Sequence, residues 1–214
     1  MGIPVLIIGK SGSGKSTSLR NFSPDEIGII NVLGKELPFR NNLKCADTDD
    51  YVLIRKYISK SKAPSIVIDD AGYLMTNQFM KGHSSTGRGN DIFTFYNDIG
   101  DSFWDLIMFV MKDISKEKIV YFMMHEDKND FGDIKPKSIG KMLDEKVCIE
   151  GMFTIALRCK NKKFYTQTQE NDIAKTPIGM FENIEMDNDL KYVDKKIREY
   201  YELSEGEQEN EKTE

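Results

Sequence analysis

The sequence predicts an α/β fold in which a mainly parallel central sheet is flanked by helices and carries a C-terminal β-hairpin extension. Short β-branched runs alternate with segments whose apolar residues recur at helical spacing. A glycine-rich loop follows the first of these runs at once, and two adjacent acids end the third. Parallel strands joined by right-handed helical crossovers hold ligands at their carboxyl ends, where both features are expected to lie.

The first strand is predicted at residues 3–8, and the loop after it fits G-x-x-x-x-G-K-[ST] at every fixed position. Glycines allow successive N–H groups to point inward, which forms an anion nest at a helix N-terminus. Lys15 then reaches the β- and γ-phosphates of a nucleotide, and the Ser16 hydroxyl binds Mg²⁺. A flexible Gly/Ser-rich turn is disfavoured, because Lys-Ser stands at this offset after a buried strand. The residues predicted to bind the nucleotide are Gly9, Lys10, Ser11, Gly12, Ser13, Gly14, Lys15, Ser16 and Thr17.

The other elements follow from hydrophobic periodicity and from breaking residues. Further buried strands are predicted at residues 27–33, 65–70 and 118–124. Helices are predicted at residues 15–21, after a cap at Thr48 or Asp49, from Asn90 or Asp91 to residue 114, and at residues 188–201. Residues 81–90 predict a mobile loop, residues 131–137 an irregular or hairpin loop, and residues 152–159 and 164–168 a hairpin at the end of the sheet.

Three acids are candidates for the chemistry. A carboxylate at the end of an apolar strand needs a partner, and Mg²⁺ is the natural partner of Asp69 next to a phosphate-binding loop. Asp70 is predicted to orient or deprotonate the attacking water, and a helix-capping acid is the alternative. Glu36 follows the second strand as a rival base, although its position is equally compatible with a surface turn.

The end of the fourth strand carries His125. A polar group there is expected to lie near the γ-phosphate and to report its presence, and a histidine satisfied within a loop is the alternative. Residues 69–72 also match the D-x-x-G of GTPases, but residues 125–128 read His-Glu-Asp-Lys where N-K-x-D would recognise guanine. ATP is therefore expected rather than GTP.

Taken together, these residues make the chain resemble phage-encoded RecA-like P-loop ATPases of the AAA/Sak recombination group over residues 3–184. The resemblance depends on the glycine-rich loop, residues 66–70, the strand end at His125 and residues 174–181. In the last segment, Lys175 and Gly179 match a K-x-R-x-G pattern whose Lys and Arg reach a neighbouring subunit's nucleotide. Pro177 stands where the arginine would be, and a tight turn after a hairpin is the alternative.

The resemblance implies a RecA-like P-loop NTPase that binds and hydrolyses ATP with Mg²⁺ in phage DNA recombination or replication. It also implies single-stranded DNA binding, a homo-oligomer, a phage recombination or single-strand-binding partner, and the cytoplasm of a bacterial host. A nucleotide or small-molecule kinase and a non-hydrolysing nucleotide-binding adaptor are the alternatives. Basic loops compatible with DNA phosphates, and equally with solvated surface, contain Lys81, His83 and Arg88, and Lys128, Lys135, Lys137 and Lys141 around Phe131.

Composition bounds the organisation of the chain. Residues 1–184 are predicted to form the ATPase domain, 185–203 a C-terminal helix, and 204–214 a disordered acidic tail. That tail holds five Glu and one Lys, or −4 of the formal net charge of −5, so the rest of the chain is nearly neutral. Three cysteines without paired spacing indicate neither disulfides nor a zinc site, and no apolar run is long enough for a membrane span.

Overall fold

A computed structural model of the chain describes residues 1–140, 147–169 and 171–203. The described residues form an α/β structure with a mixed, mostly parallel central sheet flanked by helices, as the sequence predicted. The strands are β1 (Ile3–Gly9), β2 (Ile27–Asn31), β3 (Cys45–Asp47), β4 (Ser65–Asp69), β5 (Ile119–Lys128), β6 (Ile134–Pro136), β7 (Ile155–Lys160), β8 (Lys163–Tyr165) and β9 (Glu185–Asp187). The helices are α1 (Tyr51–Lys60), α2 (Tyr73–Gly82), α3 (Asn90–Asp113) and α4 (Leu190–Tyr201), with short 3-10 helices at Ser16–Asn21 and Glu150–Met152.

The sheet has the strand order β3-β2-β4-β5-β1-β7-β8-β9, and β6 pairs with β5 outside this path. All neighbours from β3 to β7 are parallel, whereas β7–β8, β8–β9 and β5–β6 are antiparallel. The predicted hairpin at the end of the sheet is therefore formed by β7 and β8, and β9 extends it by one strand. The insertion of β5 between β1 and β4 brings the carboxyl ends of these three strands side by side.

Both faces of the sheet are covered, because successive side chains of a strand point to opposite faces. Leu6 and Ile8 of β1 share a buried cluster with residues of α1, α2 and α3. Val5 and Ile7 share a second cluster with Leu19 of the first 3-10 helix and with apolar residues of α4. β1 and β4 are consequently almost wholly buried, as their near-continuous apolar sequences require.

Several element boundaries differ from the sequence expectation. The glycine-rich loop leads into a six-residue 3-10 helix rather than a helix over 15–21, and β2 ends at Asn31. The cap of α1 is Asp50, whose Oδ1 accepts hydrogen bonds from Val52 N (2.7 Å) and Leu53 N (3.1 Å). Neither Thr48 nor Asp49 caps the helix. β5 continues four residues past its predicted end because it pairs with β6, and this pairing confirms the hairpin that was one of the two alternatives predicted for residues 131–137.

The remaining expectations concern loops and termini. α2 extends to Gly82 and α3 begins at Asn90, which confirms the long helix and shortens the predicted loop at 81–90. Lys141 and the predicted acidic tail lie outside the described residues. No helix in the described part of the chain is both long and apolar enough to cross a membrane.

Candidate functional site

The glycine-rich loop begins at the last residue of β1 and ends in the 3-10 helix Ser16–Asn21. Gly12 and Gly14 have positive φ values of 74° and 113°, a backbone conformation that residues other than glycine adopt only at a cost in free energy. A Cβ on Gly9 would lie 2.3 Å from the Cys159 carbonyl oxygen, and one on Gly14 would lie 2.4 Å from Asn188 Nδ2. The glycines of the predicted motif are thus needed for backbone conformation at two positions and for close packing at two.

Lys15 is only 6% exposed, although it carries an ammonium group. Its Nζ donates hydrogen bonds to the carbonyl oxygens of Gly9 (2.8 Å) and Lys10 (3.1 Å). No carboxylate of the described residues lies within ion-pair distance of this nitrogen. Burial lowers the pKa of Lys15, and the more distant charges of Asp70 and its neighbours only partly oppose this effect. A buried cation held by carbonyl dipoles alone is an arrangement that an anion would complete.

Ser16 and Asp69 meet at the carboxyl end of β4. Ser16 Oγ donates a hydrogen bond to Asp69 Oδ1 (3.1 Å), and the Asp70 backbone N donates to the same oxygen (3.1 Å). Asp69 is 6% exposed, and burial raises the pKa of its carboxyl group. The hydroxyl and carboxylate predicted to bind Mg²⁺ are therefore adjacent, although they come from residues far apart in sequence.

Asp70 lies next to this pair in an uncommon backbone conformation, with φ of 59°. Its carboxylate is held by two side chains, His125 Nε2 at 3.3 Å from Oδ1 and Lys35 Nζ at 3.0 Å from Oδ2. These hydrogen bonds, that of His125 first, lower the pKa of Asp70 to about 2. Asp70 does not cap α2 with its side chain, because the cap position is Gly72 without a side-chain hydrogen bond.

His125 is aligned with Gly9 in the β1–β5 ladder, which places it beside the start of the loop. Its ring contacts the edge of Tyr73 at 5.9 Å between centroids, and its carbonyl accepts a hydrogen bond from Lys137 N (2.8 Å). The prediction that Asp69, Asp70 and His125 gather at one end of the sheet with the loop is confirmed in position. His125 is part of a continuing strand rather than its end.

Two predicted residues lie elsewhere. Glu36, predicted as a rival base, is exposed, as its alternative interpretation as part of a surface turn requires, and its neighbour Lys35 contacts Asp70 instead. Lys175 exchanges two backbone hydrogen bonds of 2.8 Å with Ala156 of β7, and none of its described contacts involves the glycine-rich loop. Met180 N donates to Pro177 O at 3.2 Å, which forms a tight turn with Gly179 at φ 81°. Within one chain, this segment is therefore a turn packed on β7.

A partly buried ion cluster flanks the loop on its β7 side. Arg158 donates two hydrogen bonds to the Glu126 carboxylate (2.9 and 3.0 Å) and one to Asp172 Oδ2 (3.0 Å). A cavity of about 410 Å³ opens between this cluster, residues 10–13 of the loop and the β7–β8 turn. Neither Arg158 nor Asp172 was a candidate from the sequence. No local sequence pattern indicates that Glu126, Arg158 and Asp172, from three distant segments, come together in the fold.

The loops considered for DNA differ in what their side chains contact. Phe131 is 88% exposed near the tip of the β5–β6 hairpin. Lys81 forms an ion pair with Asp49, and the His83 ring stacks on Phe79 at 5.1 Å between centroids. Two of the basic residues considered for DNA, Lys81 in the last turn of α2 and His83 at its C-cap, are thus engaged within the protein, whereas the aromatic residue of the hairpin is accessible.

Magnesium is the cofactor whose fit can be examined from these donors. No group of three or more His, Cys, Asp or Glu side chains positioned for a metal occurs in residues 1–140, 147–169 and 171–203. Mg²⁺ commonly takes only one or two protein ligands and completes its shell with phosphate oxygens and water. The adjacent oxygens of Ser16 and Asp69 fit that chemistry.

No protein-family model matches the chain, and no curated protein matches it.

Proposed function

We propose that the chain binds ATP with Mg²⁺ on the loop from Gly9 to Thr17 and hydrolyses it. The observation that carries the proposal is Lys15, a buried ammonium group held by the Gly9 and Lys10 carbonyls, with no described carboxylate in ion-pair distance. Burying an unpaired cation costs free energy. A bound triphosphate would lower that cost, because its negative charge would pair with the ammonium group. The fold class is then that of a RecA-like P-loop NTPase.

The proposed mechanism assigns one task to each residue. Lys15 neutralises charge that develops on the transferred phosphoryl group, and backbone N–H groups of the loop bind the phosphate oxygens. Ser16 Oγ and Asp69 would hold Mg²⁺, which supplies further neutralisation of the β- and γ-phosphate oxygens. Hydrogen bonds hold Lys15 to the Gly9 and Lys10 carbonyls and Ser16 to Asp69, which supports these assignments.

Asp70 is proposed to orient the attacking water. With its pKa lowered to about 2, the carboxylate is ionised at neutral pH but is a weak proton acceptor, which favours orientation over deprotonation. His125 is proposed to respond to the γ-phosphate, since its Nε2 contacts the same carboxylate. The exposed position of Glu36 gives it less support as the base.

The biological setting is proposed from the sequence resemblance: phage DNA recombination or replication, with single-stranded DNA, a homo-oligomer and a recombination or single-strand-binding partner. The accessible Phe131 is compatible with stacking on an unpaired base. A kinase and a non-hydrolysing adaptor remain the competing functions, and one assay separates all three.

The experiment measures phosphate release from ATP and Mg²⁺, with and without single-stranded DNA. Wild type is compared with Lys15→Ala and with Lys56→Ala, an exposed lysine of α1 that serves as the control. We expect DNA-stimulated release that falls at least about 100-fold in Lys15→Ala and is unchanged in Lys56→Ala. Absence of release under every condition would overturn hydrolysis and favour the adaptor, and transfer of phosphate to a nucleoside monophosphate would favour the kinase.

A further inference from the structure

The outer side of the glycine-rich loop is braced by residues from the C-terminal half of the chain. The Ser13 carbonyl accepts hydrogen bonds from Lys162 N (3.0 Å) and Cys159 Sγ (3.3 Å). The Gly14 carbonyl accepts one from the side-chain amide of Asn188 and one from Ser18 N (3.0 Å). Two consecutive carbonyl groups of the loop are thus held from outside.

These contacts matter for the N–H groups on the other side of the same peptides. A peptide unit is planar, so the direction of the Gly14 carbonyl determines the direction of the Lys15 N–H in the same unit. That N–H belongs to the glycine-rich loop, where an anion nest requires N–H donors that converge on one point. A peptide that rotates freely would lose this donor for part of the time.

The contacts of Asn188 keep its side-chain amide in the orientation that holds the Gly14 carbonyl. The residue lies between β9 and α4 in the sequence and is 4% exposed. Arg20 Nη1 donates to Asn188 Oδ1 (2.8 Å) and also to its backbone carbonyl. Because the guanidinium only donates, it binds the oxygen of the amide and leaves Nδ2 facing Gly14. The amide is therefore held in the orientation in which it donates to the loop.

We propose that Asn188 is a positioning residue for nucleotide phosphate: it orients the Gly14–Lys15 peptide so that the Lys15 N–H points at the bound anion. The proposal rests on the proposed function, since it names a determinant of affinity at the same loop. It goes beyond the proposed function because Asn188 lies outside the glycine-rich motif, in the segment before the C-terminal helix α4. Arg20 acts through Asn188 by holding its amide.

The contact should affect binding more than the chemical step. The loop holds phosphate in both the ground state and the transition state, so its orientation contributes uniform binding. For Asn188→Ala we expect the Kd of ADP with Mg²⁺ to rise about tenfold and kcat to stay within about twofold of wild type. Tripolyphosphate, which has no nucleoside, should lose affinity by the same factor, because the affected group faces phosphate.

The test is isothermal titration of wild type, Asn188→Ala and Arg20→Met with ADP and with tripolyphosphate, beside kcat from phosphate release and thermal unfolding of each protein. Asn183→Ala, an exposed asparagine five residues upstream, is the matched control and should bind as wild type does. Arg20→Met leaves the Asn188 amide in place but removes the guanidinium group that fixes the orientation of that amide. We therefore expect a Kd about threefold higher than that of wild type. The exposed position of Arg20 makes this variant usable even where Asn188→Ala does not fold.

The outcomes separate the inference from the function on which it rests. Weaker binding of both probes by Asn188→Ala and Arg20→Met, with kcat retained, supports the inference. Wild-type affinity in folded Asn188→Ala, or in Arg20→Met where only that variant folds, overturns the inference and leaves the proposed function standing. Wild type that binds neither ADP nor tripolyphosphate overturns both.

Discussion

At the scale of single residues, the candidate site contains groups whose burial is unfavourable in the absence of a partner. Lys15 is buried with a lowered pKa, and Asp69 is buried with a raised one, so each carries its charge at a cost in the folded chain. Residues with pKa values shifted by burial are common where proteins bind charged ligands, because the ligand can supply the missing opposite charge. Asp70 shows the opposite behaviour, since its charge is already satisfied.

Asp70 therefore makes a testable contribution to stability. Its pKa is lower in the folded chain, about 2, than the ordinary value of 3.8, so its ionised form favours folding. This contribution is complete above pH 4 and is lost as the pH falls through about 2. The shift corresponds to at most roughly 2 kcal/mol. We expect Asp70→Asn to be less stable than wild type by about that amount at pH 6, and the difference to shrink towards pH 2.

Urea unfolding at a series of pH values between 2 and 6 measures this difference. Asn tolerates the same left-handed backbone conformation as Asp, so the variant isolates the charge. An Asp70→Asn deficit that stays constant across the series would show that the contacts with His125 and Lys35 stabilise the fold without electrostatic linkage.

At the scale of elements, the β7–β8 turn stores strain at the point where it contacts the loop. Asn161 and Lys162 both have positive φ values, 52° and 58°, as a two-residue hairpin turn with right-handed twist requires. Asn accepts this conformation readily, whereas Lys does so at a cost. The backbone N–H of Lys162 nevertheless donates to Ser13, so the turn supports the loop without need of that side chain.

Lys162→Gly should consequently stabilise the protein by about 0.5–1 kcal/mol, since glycine relieves the strain and keeps the N–H. Lys160→Gly, in the strand before the turn, is the paired control and should destabilise the protein by a similar amount. Thermal or urea unfolding of both variants decides the matter. Equal destabilisation by the two substitutions would contradict the assignment of strain to Lys162.

α4 is anchored by a buried polar cluster at the opposite end of the sheet. Arg198 donates to Asp194 Oδ2 (2.8 Å) and to the Glu117 (3.1 Å) and Pro64 (2.9 Å) carbonyl oxygens. Asp194 also accepts hydrogen bonds from the hydroxyl groups of Ser65 and Tyr121, and its charge helps raise the pKa of the buried Tyr121. The cluster is satisfied only while all of its members are present.

Arg198→Ala should destabilise the protein by about 3–5 kcal/mol, because it leaves the Asp194 charge buried without its cation. Urea unfolding compared with Lys195→Ala, an exposed neighbour on α4 paired only at 3.8 Å with Glu199, gives the measurement. The control should change stability by less than about 0.5 kcal/mol. A loss below about 1 kcal/mol in Arg198→Ala would mean that water or a shifted helix compensates Asp194.

At the scale of the whole molecule, the parts that could be predicted are those with a local signal. The β-branched runs locate β1, β2, β4 and β5, and the glycine spacing with strand-end acids locates the loop, Asp69 and Asp70. β3 and β9 are three-residue strands of mixed polarity, too short to show a period. α2 begins at a cap without a side-chain hydrogen bond, so its N-terminus carries no capping signal.

The rest of the candidate site depends on long-range packing. Lys35 reaches Asp70 because β2 and β4 are neighbours in the sheet, an arrangement that no local pattern specifies. Asn188 was predicted to start a helix, but the actual cap is Asp189, and the Asn188 side chain contacts Gly14, 174 positions away in the sequence. Sequence reasoning located the residues proposed to bind phosphate better than the residues that hold them in place.

The separation of Gly14 and Asn188 has a consequence during protein synthesis. The two residues are 174 positions apart, so a nascent chain exposes its glycine-rich loop long before the residue that braces it leaves the ribosome. Contacts of such separation form late, because the intervening chain must first be ordered. A chain synthesised only as far as residue 187 should therefore hold the loop sequence without a fully shaped anion nest. If the loop binds nucleotide as proposed, tight binding is expected only after the segment joining β9 to α4 has docked.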